Sequence, residues 1–296
     1  MAKRIGLLFF FLLIVSALRA DTIYVSDAGS GTIYQYTSQG SRTTFATGLS
    51  LPLGLALDSN GNLFEADSGT GAINKFSPQG VKTTFATGLN EPFGLAFGPN
   101  GKLYEADDTG SDAFDFTSTG VEKRLANELS FPTGIAVDAF GNVYISALGA
   151  PTTSTSGTIY KYSSGHGRTV FASGLDLPGG MAFNAAGDLF EADFGSGSIY
   201  EFTPGGLRTT FATGLTSPVD IAFDSLGNLF ATDHNSGNIY EFAPNGQRSL
   251  FAMETLPTFL TIAQVPVSTA VPEPRYLVPL AACAGIFILG RRRKVV

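Results

Sequence analysis

A heptapeptide pattern that returns at a fixed distance constrains this chain more than any other feature. GNLFEAD at 61–67 recurs as GKLYEAD at 101–107, GNVYISA at 141–147, GDLFEAD at 187–193 and GNLFATD at 227–233; a truncated copy, DTIYVSD, stands at 21–27. The spacings are 40, 40, 40, 46 and 40 residues. Each copy carries four short apolar or alternating stretches, which in the second copy are GLALD 54–58, NLFEAD 62–67, AINKFS 72–77 and KTTFATG 82–88. Turn sequences DSNGN, DSGTG and SPQG separate them. Period-two alternation broken by Gly, Asn, Asp and Pro reads as strands joined by tight turns. No long 3.6-residue periodicity occurs outside the two chain ends. Four short strands in a unit of about 40 residues form one blade of a β-propeller.

The ends of the repeat region set the blade count. Complete copies begin at Pro52, Pro92, Pro132, Pro178 and Pro218. The first copy supplies only TIYVSD, TIYQYT and RTTFAT; its missing first strand reappears as PTFLTIAQ at 257–264. Three strands plus one make a sixth blade. An open array would leave uncovered apolar faces and free strand edges, so pairing the last strand beside the first has a physical motive. The expectation is an all-β, six-bladed propeller over 21–264, closed by its N- and C-terminal strands.

The repeats resemble NHL-type propeller repeats and, more distantly, the streptogramin-lyase and gluconolactonase propellers. The residues that carry the likeness are P-x-G-[LIM]-A-[FVL], then G-[NDK]-[LV]-[FY]-x-A-D and G-x-I-Y-x-[FY]. The likeness implies fold rather than activity. Gluconolactonase-like enzymes imply a channel metal held by Glu, Asn and Asp, and no such set can be matched here. The lyases imply a histidine-containing site, for which only His234 is suitably placed.

Both ends read as address labels. Lys3 and Arg4, the apolar run Ile5 to Leu18, and Ala20 before Asp21 form a signal peptide over 1–20, with cleavage after Ala17 as the alternative. At the other end, residues 265–275 form a linker containing Pro272, Glu273 and Pro274. Residues 276–296 follow, with an apolar run Leu277 to Leu289, then Arg291, Arg292, Arg293 and Lys294. An apolar helix of that length covers about 20 Å of a hydrocarbon core of about 30 Å, which is marginal for a permanent span. The order Pro-Glu-Pro, short helix, arginine cluster resembles the PEP-CTERM sorting signal of Gram-negative bacteria. That resemblance implies an exosortase-type sorting protease as partner, transient residence in the inner membrane and a final place at the cell surface or outside. The basic cluster stays in the cytoplasm and the propeller lies beyond the membrane.

Removing both ends sharpens the charge. Eight of the 18 basic residues lie outside 21–270, which leaves ten against 24 acidic ones, a net charge near −14. Such a domain repels phosphate backbones, so nucleic acid is excluded as a partner. The lone Cys283 excludes a disulfide framework and cysteine-based zinc sites. The absence of Trp argues against a dedicated sugar-stacking platform.

Asp27, Asp67, Asp107, Asp193 and Asp233 each end a second strand before a turn. Such a carboxylate accepts hydrogen bonds from turn amides; the functional alternative is an acidic rim binding Ca²⁺ or Mg²⁺. Glu65, Glu105 and Glu191 share a position occupied by Val25, Ile145 and Ala231 elsewhere, which reads as partly exposed between blades. Inner strands crowd the axis, so Gly54, Gly94, Gly134 and Gly180 are expected there. Asp220 and Phe259 break that rule. Asp220 and His234 belong to one blade and are expected near the same face as an acid–base or metal pair. His166 falls in an exposed turn of the opposite face. The fourth copy has an insertion around 150–156 and Ala147 in place of the aspartate. Three functions follow: a non-catalytic binding or matrix module for a protein or polysaccharide; a metal-dependent hydrolase or lyase; or a structural component of the envelope.

Overall fold

The computed structural model describes residues 21–149, 155–163 and 167–264. The signal segment, the linker and sorting tail with Pro272, Glu273, Pro274, Arg291, Arg292 and Arg293, His166 and most of the 150–156 insertion lie outside the described residues.

Among the described residues, twenty-four strands form six antiparallel sheets of four, with one 3-10 turn, His234–Ser236. Blade 1 is the shared one, in the order Pro257–Ala263, Thr22–Asp27, Thr32–Thr37, Arg42–Thr47. Its joining register pairs Thr22 with Ala263, Ile23 with Ile262, Val25 with Leu260 and Asp27 with Pro257. The ring is therefore fastened by the strand that the truncated first copy lacks. Blades 2 to 6 follow in chain order, with inner strands Pro52–Leu57, Pro92–Phe97, Pro132–Val137, Pro178–Phe183 and Pro218–Phe223. Second strands run from the lower face to the upper, so Asp27, Asp67, Asp107, Asp193 and Asp233 all reach the upper face.

Aromatic edges join the blades. Phe64 of blade 2 meets Phe85 of its own outer strand at 4.9 Å and Phe97 of blade 3 at 5.0 Å, both edge-on. Phe190, Phe211 and Phe223 repeat this between blades 5 and 6. These T-shaped contacts use the ring quadrupole as well as area, which explains why the repeat demands Phe at fixed phase.

The axis is crowded as expected. A β-carbon on Gly54 would overlap the carbonyl oxygen of Phe93, and one on Gly94 or Gly134 would overlap that of Thr133 or Gly179. Backbone of neighbouring inner strands fills that space, and only glycine permits the approach.

Glu65, Glu105 and Glu191 correct the expectation of partial exposure: all three are fully buried. So are Val25, Ile145 and Ala231 at the same register. The position is interior in every blade. What differs is the next residue, which is Ala66, Ala106 or Ala192 beside a glutamate but Ser26, Ser146 or Thr232 beside an apolar residue. Those hydroxyls knit adjacent blades. Ser146 accepts from the Gly134 amide at 2.7 Å and lies 2.7 Å from the Gly179 oxygen, and Thr232 donates to the Thr258 oxygen at 2.5 Å.

Candidate functional site: the apolar mouth of the channel

The strand-end aspartates are engaged by backbone. Asp67 accepts from the Ser50 amide at 3.2 Å. Asp107 accepts from Asn90, Glu91 and Gly110 at 2.9, 3.3 and 3.0 Å. Asp193 takes Asp176 and Ser196 at 2.8 and 3.0 Å. Asp233 takes Thr216 and Ser217 at 2.9 and 2.7 Å, and in the shared blade Asp27 takes Ser30 and Thr255. Each carboxylate thus pins the loop arriving from the preceding blade. All five are buried, and bonds to amides hold them there, although Asp67 Oδ1 has no partner. Among the described residues no three His, Cys, Asp or Glu side chains come together to hold a metal ion. The donor set that a channel metal requires does not fit these positions.

Pinning those loops shapes what lies above the axis. In each blade three residues face the upper mouth: one before the inner-strand proline, one just inside that strand, and one after the second strand. In blade 2 they are Leu51, Leu53 and Ser68; in blade 5, Leu177, Gly179 and Phe194. A backbone bond from the third to the first closes each set, as from Ser68 to Leu51 at 3.1 Å and from Phe194 to Leu177 at 3.2 Å. Most of these positions line a cavity of about 480 Å³, with Ser68, Asp108 and Phe131 among those outside its wall. Its wall holds Leu53, Phe93, Leu148, Leu177, Phe194 and Val219, with Thr133, Thr258, His234 and Asn235 as its polar points. A largely apolar concavity with a few polar groups is the usual form of a binding site.

Three rim residues are strained. Leu51, Phe131 and Leu177 have φ of 65°, 55° and 58°. The left-handed region costs a bulky residue about 1 kcal/mol. All three also expose apolar surface, 47%, 40% and 38%. A fold that spends strain to hold apolar side chains in water at one rim is organised for contact with something else.

Asp220 and His234 lie in the same blade but in different surroundings. His234 lines the mouth, its Nδ1 3.2 Å from the Pro257 oxygen. Asp220 is buried and borders the lower half of the channel, where it accepts from the Leu260 amide at 2.9 Å. Burial pushes its carboxyl up to about 8, with the amides of Leu260 and Ile221 pulling the other way. At the mouth, Asp108 of blade 3 is raised to about 6 by burial and then by the charges of Glu91 and Asp107, and its Oδ1 lacks a hydrogen-bond partner. No Lys or Arg stands in any described connection of the upper face, whereas Glu91, Asp108, Glu128, Asp176 and Glu254 do. The mouth is apolar within and acidic around.

The mouth residues escape a reading based on recurrence. Their signal is departure from it: Leu148 and Phe194 stand where blades 2 and 3 have Ser68 and Asp108, and Leu51, Phe131, Leu177 and Leu256 stand where other blades have Glu91 and Ser217.

No protein-family model matches the chain, and no curated protein matches it. Solved structures share its fold. A chain from the crystal structure of a nidogen/laminin complex superposes with a TM-score of 0.74 at 21% identity, covering 82% of this chain and 98% of that one. A gluconolactonase from Xanthomonas campestris gives 0.66 at 16%, over 83% and 93%. Virginiamycin B lyase from Staphylococcus aureus gives 0.61 at 16%, over 79% and 81%. The chain is a six-bladed β-propeller. At these identities the likeness establishes fold, and the neighbours include both a binding assembly and enzymes.

Proposed function

We propose that this chain is an exported, surface-sorted propeller that acts as a non-catalytic binding module, and that its ligand site is the upper mouth. The observation that carries this reading is an apolar cavity lined by strained, exposed Leu51 and Leu177, with strained and exposed Phe131 on the same rim, while the strand-end aspartates beneath it bond to backbone amides. Walls of Leu, Phe and Val suit an apolar side chain of a protein ligand better than the hydroxyls of a polysaccharide. The acidic rim favours basic groups beside that anchor. Export and sorting rest on residues 1–20 and on Pro272 to Lys294, with an exosortase-type protease and the inner membrane as transient partners. A photo-crosslinking residue placed at position 148 in the producing bacterium is expected to capture one dominant protein that the same residue at position 81 does not. Equal or absent adducts at both positions contradict the reading.

A second reading, hydrolase or lyase, has one observation in its favour: His234 lines the mouth. Turnover of lactones or cyclic depsipeptides that is abolished by His234→Ala would establish it in place of the first.

A further inference from the structure

The lower face carries a second apolar surface that ligand binding at the mouth does not use. Its inner turns are DAFGN 138–142 in blade 4, NAAGD 184–188 in blade 5 and DSLGN 224–228 in blade 6. Phe140 at the first apex is 89% exposed and Leu226 at the third is 77% exposed, with Ala185 and Ala186 between them. Leu207, in an outer turn of blade 5, adds 68%. The corresponding apices of blades 2 and 3 are Asn60 and Asn100. Outer turns of blades 2 and 3 also expose Val81 and Val121, but at the inner apices, next to the channel, the described apolar residues are confined to blades 4 to 6.

The chain leaves the propeller at the edge of this arc. Gln264 donates to the Phe223 oxygen at 2.9 Å and borders the same hollow as Ala185, Ala186 and Leu226. The sequence beyond it contains the apolar run 277–289 and the arginines 291–293. The lower side is also the less acidic one, its basic residues roughly balancing carboxylates such as Asp58, Asp138, Asp188 and Asp224. Nine of the ten Lys and Arg residues of 21–264 stand in lower turns or lower strand halves, against none in the upper connections. The turn backbones are also prepared for a dry setting. Asp138 Oδ1 accepts the amides of Phe140 and Asn142 at 3.0 and 2.8 Å. Asp224 Oδ1 accepts those of Leu226 and Asn228 at 2.9 and 2.7 Å. Apices whose amides are already bonded give up fewer water contacts at the level of the headgroups, where the Asp138 and Asp224 carboxylates can stay hydrated.

We infer that the lower face of blades 4 to 6 rests on a lipid bilayer, with Phe140 and Leu226 inserted at the level of the headgroups. The inference rests on the reading of residues 276–296 as a membrane segment, and it leaves the mouth facing away from the lipid. Separate projecting apices with polar flanks suit a soft interface, which closes around each one.

The chain contains no Trp, so Phe140→Trp, Leu226→Trp and, at the mouth, Phe131→Trp each introduce a single probe at an exposed site. The full chain is reconstituted with vesicles of phosphatidylethanolamine and phosphatidylglycerol, with and without brominated acyl chains. The expected result is a blue-shifted emission and loss of intensity to brominated lipid for Phe140→Trp and Leu226→Trp, and neither change for Phe131→Trp. A chain that floats with the vesicles while all three probes behave alike overturns the docking face and leaves the anchor standing. A chain that does not float overturns both. A blue shift of the lower probes without vesicles shows that protein covers the arc, which also overturns the proposal.

Discussion

Asp220 of blade 6 reaches across to the closing strand and accepts the Leu260 amide at 2.9 Å. The carboxylate fits because residue 180 is glycine: a β-carbon there would overlap Asp220 Oδ1. The last complete blade is thereby tied to the blade shared by both chain ends. Asp220→Ala leaves a buried amide unpaired and is expected to cost about 1–3 kcal/mol. Chemical denaturation compared with wild type measures it; an unchanged midpoint would show that the tie is idle.

The same carboxyl makes stability fall with pH. Its folded pKa, about 8, lies above the unfolded value near 3.8. The folded state therefore keeps a proton that the unfolded chain has lost, and stability declines as pH rises from about 4 to about 8. Asp220→Asn, which keeps an acceptor and cannot ionise, is expected to gain on wild type between pH 6 and pH 9. Parallel melting curves for the two proteins over that range would contradict it.

Glu105 and Glu191 follow the same sign. Burial, reinforced by Asp107 and Asp193 respectively, holds both well above the ordinary carboxylate range, with the backbone of Phe93 and of Gly179 pulling the other way. Glu65 is raised to about 8 by burial, partly offset by the Asn74 side-chain amide donating at 2.8 Å. Glu105→Gln and Glu191→Gln should match wild type at acidic pH and melt higher at pH 9. Because Asn74 donates to Glu65, Glu65→Gln should gain less.

The axial glycines bear on closure of the wheel. Gly54→Ala places a β-carbon against the Phe93 oxygen and 2.9 Å from the Leu95 nitrogen. Backbone must move, and overpacking of this kind costs about 1–3 kcal/mol or more. Gly48→Ala, at a loop glycine with open space around it and φ of 74°, carries only the conformational cost of about 1 kcal/mol. Thermal melts should order wild type, Gly48→Ala and Gly54→Ala from most to least stable.

Much of the fold is legible in the residues themselves. The missing first strand of the opening copy and the orphan PTFLTIAQ at 257–264 foretell the register between Thr22–Asp27 and Pro257–Ala263. Asp27, Asp107 and Asp193 bond to amides of the Gly-containing turn that follows them, as their place suggests, while the bonds that all five make to the connection from the preceding blade depend on ring closure and are not written in the local sequence. Glu65 misleads because a site tolerant of Glu and Ile looks half exposed, whereas burial there raises the carboxyl instead of expelling it. Asp220 and His234 share a blade but not a site, because the Asp220 side chain turns to the Leu260 amide in the lower half of the channel while His234 lines the mouth. The mouth is hidden because its rings are assembled from three separated positions per blade, each weakly patterned on its own.

Strain at the rim gives a prediction of opposite sign for stability and binding. Leu51→Gly and Leu177→Gly relieve a left-handed φ at an exposed site, so stability should hold steady or rise by about 1 kcal/mol. Removing the apolar side chains should nevertheless weaken retention of the ligand. Loss of stability in parallel with loss of retention would mean that these leucines serve packing alone.

The most direct test weighs the mouth against the acidic ring beneath it. With the protein captured by crosslinking at position 148 in hand, its affinity is measured for wild type, Phe194→Asp and Asp193→Asn. An apolar mouth that holds the ligand requires Phe194→Asp to weaken binding at least tenfold, about 1.4 kcal/mol, while Asp193→Asn leaves it nearly unchanged. Unaltered binding by Phe194→Asp together with loss by Asp193→Asn would place the site on the carboxylates and contradict the role assigned to the mouth.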